Sequence, residues 1–328
     1  MDENLFAIAI GASTGGIEAL LALVGAMPPQ FPGSVLVTQH IGGYPSILPQ
    51  LMRARGPNPA MHPGDGDPPL AGTIYIAPPD HHMIVEEGRM RLFRGPKENH
   101  CRPAIDPMMR SVAMAFGARS IGVVLTGFLD DGTAGLKAIK ECGGTAIVQD
   151  PASAVEPSMP RSALENVDVD LCLRIDEMVP AFLRIMESRG SALAAVPGRL
   201  QREQMIAEGK DIMDNLESIA RPSALTCPDC GGGLWELKDR KPLRYRCHTG
   251  HAFTAISLEH AQSEDSEHAL WNSVRALHER EMLLRRVALV ARGHGDHAQA
   301  SSAEEQARHA RQKAEQLTDM IEGHDGGA

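Results

Sequence analysis

Three side chains in the first half of the chain have the types that nucleophilic catalysis requires. A cysteine/histidine group in the second half has the spacing of a metal site. Ser13 lies in FAIAIGASTGG, Phe6–Gly16, where a short apolar strand runs into a glycine-flanked serine and a helical pattern follows. Such a turn exposes the serine Oγ and offers backbone N–H groups to a developing oxyanion. A glycine-rich turn at a helix N-terminus is equally an anion cradle, so a phosphate site stays open at this point. GASTGG lacks the G-x-G-x-x-G spacing of a dinucleotide turn.

A serine hydroxyl needs a general base, and that base benefits from a carboxylate that holds it. In a parallel sheet, functional groups gather at the C-terminal ends of strands. His40 ends the apolar run SVLVTQH, and Asp131 follows IGVVLTG in the turn FLDDG. Ser13, His40 and Asp131 therefore occupy equivalent strand-end positions. Their chain order differs from the Ser, Asp, His order of α/β-hydrolases. Asp130 reads as a turn or N-cap residue.

In the second half, Cys227-Pro-Asp-Cys230 is followed by Cys247-His-Thr-Gly-His251. A C-x2-C knuckle presents two sulfurs to one ion, and a second knuckle completes a tetrahedron. The expectation is a structural Cys3His zinc site formed by Cys227, Cys230, Cys247 and His251. His248 is the competing fourth ligand, less suited because it directly neighbours Cys247. Gly231–Gly233 allows the chain to turn sharply around the ion. No cofactor is expected for catalysis. Cys101, Cys142 and Cys172 are read as free thiols.

These residues need a frame. Residues 1–190 alternate strand and helix signals, with strands expected at Phe6–Ile10, Ser34–Gln39, Thr73–Ala77, Ile121–Thr126, Thr145–Gln149 and Val169–Leu173. All are apolar on both faces, as strands covered on both sides of a parallel sheet must be. Helices are expected at Gly16–Met27, Ser46–Ala54, Asp106–Phe116, Gly132–Cys142 and Asp176–Ser188. The pattern implies a doubly wound, mostly parallel α/β sheet. Met83–Val85 and Arg89–Phe93 form an expected hairpin at an antiparallel edge. The chain then divides into a catalytic domain (1–190), a linker and weak helix (191–226), a zinc ribbon-like module (227–256) and a helical hairpin (257–322). The linker centres on 190–200. In the last segment Leu270, Val274, Leu277, Leu284 and Ala288 repeat on a 4-3 rhythm, with Glu281 at the intervening seam position. Ala303, Ala307, Ala310, Ala314, Leu317 and Ile321 repeat it after the break at Gly293–His297. This seam packs on itself or serves a partner.

Composition narrows the classes. The 328 residues carry a formal net charge of -10 and only 4% aromatics, so the core is aliphatic. Residues 1–190 hold 21 acids against 15 bases, the remainder 21 against 17. Neither half is basic, which argues against general duplex binding through phosphates. LKDRKPLRYR is locally basic and reads as a solvated loop, with contact to an acidic helix or nucleic acid as the alternative. No apolar run approaches the ~20 residues of a membrane span. The acidic N-terminus leads into a strand, not a signal-peptide core. A cytoplasmic location is expected, in which six cysteines serve as thiols or ligands.

Several separated blocks of the first ~180 residues resemble the catalytic domain of the chemotaxis receptor methylesterase, CheB. IGASTGG, VTQH and LTGFLDDG match its nucleophile, histidine and aspartate blocks. YIAPPDHHM, HCRPAIDPMMRS and QDPASAVEPSMPRSAL match its connecting segments. The resemblance implies Ser13 as nucleophile, His40 as base and Asp131 as the carboxylate. It implies hydrolysis of glutamyl 5-methyl esters on the cytoplasmic helices of chemoreceptors, with deamidation of glutamines in some members. It points to the Phe128 backbone N–H as an oxyanion donor; Thr14 is a second candidate by analogy with other serine hydrolases.

Three departures qualify it. Phe128-Leu129 stands where the family usually has Met-Gly, and Leu129 disfavours a positive-φ turn. The catalytic strand begins at residue 6, so no phospho-accepting receiver domain is expected here, and a separate response regulator or sensor takes its place. The C-terminal third has no counterpart in the ordinary methylesterase. These motivate the alternative of a weak or inactive esterase fold acting as an adaptor through its zinc and helical parts.

Overall fold

The computed structural model describes residues 4–41, 45–188, 195–239 and 241–323. In chain order the elements are β1 (Phe6–Ala12), α1 (Gly16–Ala26), β2 (Gly33–Gln39), α2 (Leu48–Arg55), β3 (Ala60–Met61), β4 (Ile74–Ile76), β5 (His82–Glu86), β6 (Arg89–Phe93), α3 (Ile105–Phe116), β7 (Ser120–Val124), α4 (Thr133–Glu141), β8 (Thr145–Gln149), α5 (Ser158–Asn166), β9 (Leu171–Leu173) and α6 (Ile175–Ser188). There follow α7 (Gly198–Ala207), α8 (Ile212–Ile219), β10 (Ala220–Thr226), β11 (Gly233–Leu237), β12 (Arg244–Cys247), β13 (Ala252–Thr254), α9 (Ala255–Gly293) and α10 (His297–Glu322). The chain divides into two compact units, Met1–Leu258 and Glu259–Ala328.

The first unit is built on a seven-stranded parallel sheet in the order β3-β4-β2-β1-β7-β8-β9. β1 and β2 are buried along their whole length, as their unbroken apolar runs require. Two apolar clusters cover the two faces. One gathers Met108, Met109, Val112 and Phe116 of α3; the other gathers Leu20, Leu23 and Val24 of α1 with Phe182 of α6. The chain leaves β1 toward β2 on one side and returns to β7 on the other. The carboxyl ends of β2, β1 and β7 therefore meet at the switch point, where open α/β sheets place their sites.

The doubly wound fold is the one expected from sequence. The β5–β6 hairpin forms, but as a two-stranded sheet of its own and not as an edge of the large sheet. It is held against α3, where the Val85 N–H donates to Ser111 Oγ at 3.0 Å. The two-residue β3 and the helix α5 were not expected. The expected linker falls partly on 189–194, outside the described residues, and its end already belongs to α7.

β10, β11, β12 and β13 form a four-stranded antiparallel sheet in that order, within the same compact unit as the large sheet. Five ionic side chains are buried where it packs. Arg110 of α3 places Nη2 2.9 Å from Glu98 Oε1, and Arg246 of β12 places Nη2 2.7 Å from the same oxygen. Arg244 of β12 holds Glu203 of α7 in a bidentate pair at 2.8 and 3.0 Å. Burial raises the Glu203 pKa, but the arginines outweigh it and hold the carboxyl at about 2. Buried charges survive only when paired and hydrogen-bonded in this way.

The second unit holds the helical hairpin. Val274 packs with Ala314 and Ile321, beside Leu270, Leu277 and Leu317. Asp296 caps α10 by accepting the Gln299 N–H at 2.9 Å. Glu281, in the seam, is 8% exposed and pairs with Arg285 at 2.6 Å.

Close approach of α3 to the large sheet depends on Gly11 in β1, where a Cβ would lie 2.3 Å from Ile105 Cγ2. We expect Gly11→Ala to lower unfolding free energy by about 1–3 kcal/mol through overpacking. Ile105→Ala, which removes the clashing Cγ2, should cost less in the Gly11→Ala background than in the parent. Urea denaturation midpoints of the two single variants and the double variant check this.

Candidate active site

β1, β2 and β7 lie side by side and deliver the three sequence-predicted residues to one place. The Ser13 N–H donates to the Thr126 carbonyl at 3.0 Å, and the His40 N–H to the Ala12 carbonyl at 3.0 Å, extending the ladders past the strand ends. His40 Nδ1 lies 3.2 Å from Ser13 Oγ, and His40 Nε2 lies 2.8 Å from Asp131 Oδ2. A carboxylate accepts a proton-bearing nitrogen, so Nε2 carries the hydrogen and Nδ1 presents its lone pair to the serine.

The Ser13 turn is shaped by its glycines. Gly15 has φ +75°, and a Cβ there would lie 2.6 Å from Val155 Cβ. At Gly16 a Cβ would meet Gln39 Oε1 at 2.2 Å. Gln39 ties the turn to the histidine strand, its Nε2 donating to the Ser13 carbonyl at 2.8 Å and the His40 carbonyl at 3.1 Å. Thr126 Oγ1 donates to the Thr14 carbonyl at 2.9 Å and accepts the Glu156 N–H at 2.8 Å. The block QDPASAVEPSMP thus braces the turn from its far side.

Asp131 is buried and collects five donors. Besides His40, its oxygens accept the N–H groups of Ile105 at 2.7 Å, Asp106 at 3.2 Å and Gly132 at 2.9 Å, and the Asn99 Nδ2 at 2.8 Å. Ile105 and Asp106 open α3, so the carboxylate caps that helix from outside and meets the positive end of its dipole. Burial raises the Asp131 pKa; the His40 contact, the Ile105 N–H and Asn99 outweigh it, and the group lies below its ordinary range. Asp106 is pushed the other way, up to about 8, by burial and the adjacent Asp131 charge. The two carboxyls compete for the negative charge, and the larger set of donors favours it on Asp131. Burial lowers the His40 pKa. The adjoining Cys101 sulfur and Asp131 more than offset it, leaving the imidazole above its ordinary value.

The remaining predicted residues fall around this centre. Thr14 is exposed, and Phe128 is 48% exposed. Leu129 adopts φ +62°, against the expectation that a leucine would avoid a left-handed turn. Gly127 makes the turn possible, since a Cβ there would lie 2.7 Å from Ser13 Cβ and 2.1 Å from Met159 Sδ. Asp130 is not a side-chain N-cap. It is buried and accepts the Thr254 hydroxyl at 2.7 Å, and α4 starts behind Gly132. Asn99, Gln39, the α3 N-terminus and Cys101 are the parts that sequence reasoning missed. The backbone donors leave no side-chain signature; Cys101 sat inside a block read only as connecting, and Asn99 lies just before that block.

Cys227, Cys230, Cys247 and His251 form the other cluster, their ligand atoms all within 4.8 Å of one another. Cys230 and Cys247 sulfurs are 3.8 Å apart. His251 Nδ1 lies 3.8 Å from Cys227 Sγ and 3.5 Å from Cys247 Sγ. These are the edges of a tetrahedron built on metal–sulfur bonds of about 2.3 Å. The Cys227 N–H donates to the Gly232 carbonyl and the Gly231 N–H to the Cys227 carbonyl, both at 2.8 Å, closing the first knuckle. His248 lies over Gly232, outside the cluster. Asp229 Oδ2 is buried without a hydrogen-bond partner and lies 3.9 Å from His251 Nε2, where a carboxylate orients a metal-binding imidazole.

No helix among the described residues is long and apolar enough to cross a membrane. The family model for CheB methylesterase matches residues 8–182. A Rhodospirillum rubrum protein named protein-glutamate methylesterase/protein-glutamine glutaminase 1 is 41% identical over 197 residues, covering 57% of this chain and 50% of that protein. A Leptospira interrogans protein, provisionally given the same activities, is 36% identical over 188 residues, covering 56% of this chain and 95% of its own length. The match thus spans about half the length of the Rhodospirillum relative. The crystal structure of the Thermotoga maritima CheB methylesterase catalytic domain superposes with a TM-score of 0.52 at 30% identity, covering 56% of this chain and 98% of that one. With its parallel sheet and its strand-end serine, histidine and aspartate, the chain belongs to the CheB methylesterase family.

Proposed function

We propose that this chain is a serine esterase of protein-glutamate methyl esters, acting on the methylated cytoplasmic helices of chemoreceptor-like proteins. The observation that carries the reading is the continuous Ser13 Oγ–His40 Nδ1 and His40 Nε2–Asp131 Oδ2 pair of contacts. Ser13 Oγ attacks the ester carbonyl while His40 Nδ1 takes its proton. Asp131 stays ionised, holds Nε2–H and stabilises the imidazolium. His40 then protonates the departing methoxide, releasing methanol and leaving a glutamyl ester on Ser13. Water, deprotonated by His40, attacks that ester and frees the glutamate. With a glutamine side chain the same steps release ammonia. The Ser13 N–H is engaged by Thr126, and the backbone N–H groups of Phe128 and Thr14 are assigned to the oxyanion.

We also infer a structural zinc ion at Cys227, Cys230, Cys247 and His251. Three soft thiolates and an imidazole with tetrahedral edge lengths suit zinc, and four protein ligands leave no open position. When bound, the ion cross-links the two knuckles; it takes no part in the ester chemistry.

Ser13→Ala and His40→Ala should each abolish labelling by a fluorophosphonate probe and methanol release from methylated receptor. Unchanged labelling of Ser13→Ala would refute the nucleophile, and a parent protein that neither labels nor releases methanol would favour the adaptor reading.

The base form of His40 must be neutral, and its pKa lies above the ordinary value of about 6.5. The rate of ester hydrolysis should therefore rise with pH through neutrality and be lost as pH falls. Cys101→Ala should move the inflection downward, as pH–rate profiles of the two proteins will show.

Elemental analysis of the purified chain should find one zinc per molecule, and Cys230→Ser should lose it. Cobalt substitution should give the sulfur-to-metal absorption of a tetrahedral thiolate site.

A further inference from the structure

Among the five donors to Asp131, one belongs to a residue that the antiparallel sheet itself grips. Asn99 lies in the loop between β6 and α3 and is 6% exposed. Its Nδ2 donates to Asp131 Oδ1 at 2.8 Å and to Asp106 Oδ2 at 3.0 Å. Its Oδ1 accepts the Thr254 N–H at 3.0 Å and faces Ser257 Oγ at 3.0 Å. The partners decide the amide's orientation: a flipped group would aim its oxygen at two carboxyls and its NH2 at two donors.

The backbone is held as well. The Asn99 N–H donates to the Ala252 carbonyl at 2.8 Å. Asn99 at φ +51° and His100 at φ +64° are consecutive left-handed residues, a conformation that persists only where the surroundings fix it. Glu98, one residue before, receives Arg246 of β12, and Cys247 follows directly in that strand.

We propose that Asn99 is a positioning residue of the esterase, and that the β13–α9 corner belongs to the catalytic machinery because Thr254 and Ser257 hold the Asn99 amide against Asp131. This rests on Asp131 being the triad carboxylate. Asn99 fixes the plane of that carboxylate and stands between it and Asp106. Without the amide the two acids face each other unbuffered. Asp131 then holds the His40 ring less firmly and supports the imidazolium less well. The ester itself touches neither Asn99 nor Ser257 in this scheme, so substrate binding is unaffected.

The test uses the full chain with p-nitrophenyl acetate and a fluorophosphonate probe, and Ser13→Ala as the reference. Asn99→Ala should lower kcat by about ten- to a hundredfold, as misplacement of a catalytic group does, with KM little changed. Its pH–rate inflection should shift downward. Ser257→Ala should give a smaller fall, about three- to tenfold, and Ser257→Thr should restore the rate. In the double variant the Ser257 effect should vanish into that of Asn99, since both act through one amide. The proposal is overturned if Asn99→Ala keeps its kcat and inflection while Ser13→Ala is dead, or if the two effects multiply. Activity in Ser13→Ala would instead overturn the triad. If circular dichroism shows Asn99→Ala unfolded, the Ser257→Ala and Ser257→Thr pair decides: a fall and a rescue support the proposal, and two unchanged rates overturn it.

Discussion

The constraint on which the active region depends is the burial of one anion. An ionised carboxylate removed from water is costly unless hydrogen bonds replace its hydration shell. Asp131 is buried and meets that demand with five donors from four places: the histidine strand, the α3 N-terminus, its own turn and the loop at Asn99. Each requirement propagates. The α3 N–H groups reach the carboxylate because Gly11 and Gly132 leave room for Ile105, whose Cγ2 would lie 2.3 and 2.9 Å from a Cβ at those positions. α4 can lie close to α3 because Gly135 admits Met109, and its N–H binds Asp106 at 2.6 Å. Gly11, Gly132 and Gly135 are thus tied to the burial of a single side chain.

A second buried charge group fixes the antiparallel sheet to that arrangement. Arg110 comes from the helix that caps Asp131, and Arg246 from the strand that ends at Cys247. Both bind Glu98, the neighbour of Asn99. Ion pairs of this kind add little net stability but tolerate few alternative packings, because a misplaced partner leaves an uncompensated charge. Here they set a register. With Arg246 on Glu98, the next strand meets Asn99 through Ala252 and Thr254. The ionic layer and the amide contact are two consequences of one docking.

How much of this was legible depends on the range of the interaction. The parallel strands announced themselves because burial on both faces leaves no polar alternation, as in β1 and β2. Placing Ser13, His40 and Asp131 together rested on the rule that strand ends converge and on the resemblance of the blocks around them. The fourth position of the cysteine cluster followed from knuckle spacing, and His251, not His248, joins it. What stayed hidden is non-local. The donors at Ile105 and Asp106 are backbone groups, invisible in residue type. Asn99 acquires meaning only through Thr254 and Ser257, about 155 residues later. β3 has two residues and cannot show a period. The β5–β6 hairpin was legible as a hairpin, but its place against α3 is a tertiary choice.

The turn Gly127–Gly132 shows how far such constraints reach. A leucine in the left-handed region costs on the order of 1–3 kcal/mol and persists only if its flanks are over-determined. They are. On one side the Gly127 N–H donates to the Glu156 carbonyl and its own carbonyl accepts the Met159 N–H, both at 2.9 Å. On the other, Asp130 is held by Thr254, and Asp131 by its five donors. The backbone between these anchors has a fixed span and direction, so Leu129 takes the conformation that a glycine would adopt freely. Phe128, half-exposed, directly follows Gly127, where a Cβ would lie 2.7 Å from Ser13 Cβ, so the chain passes from a close backbone contact with Ser13 to a solvent-facing side chain within one residue.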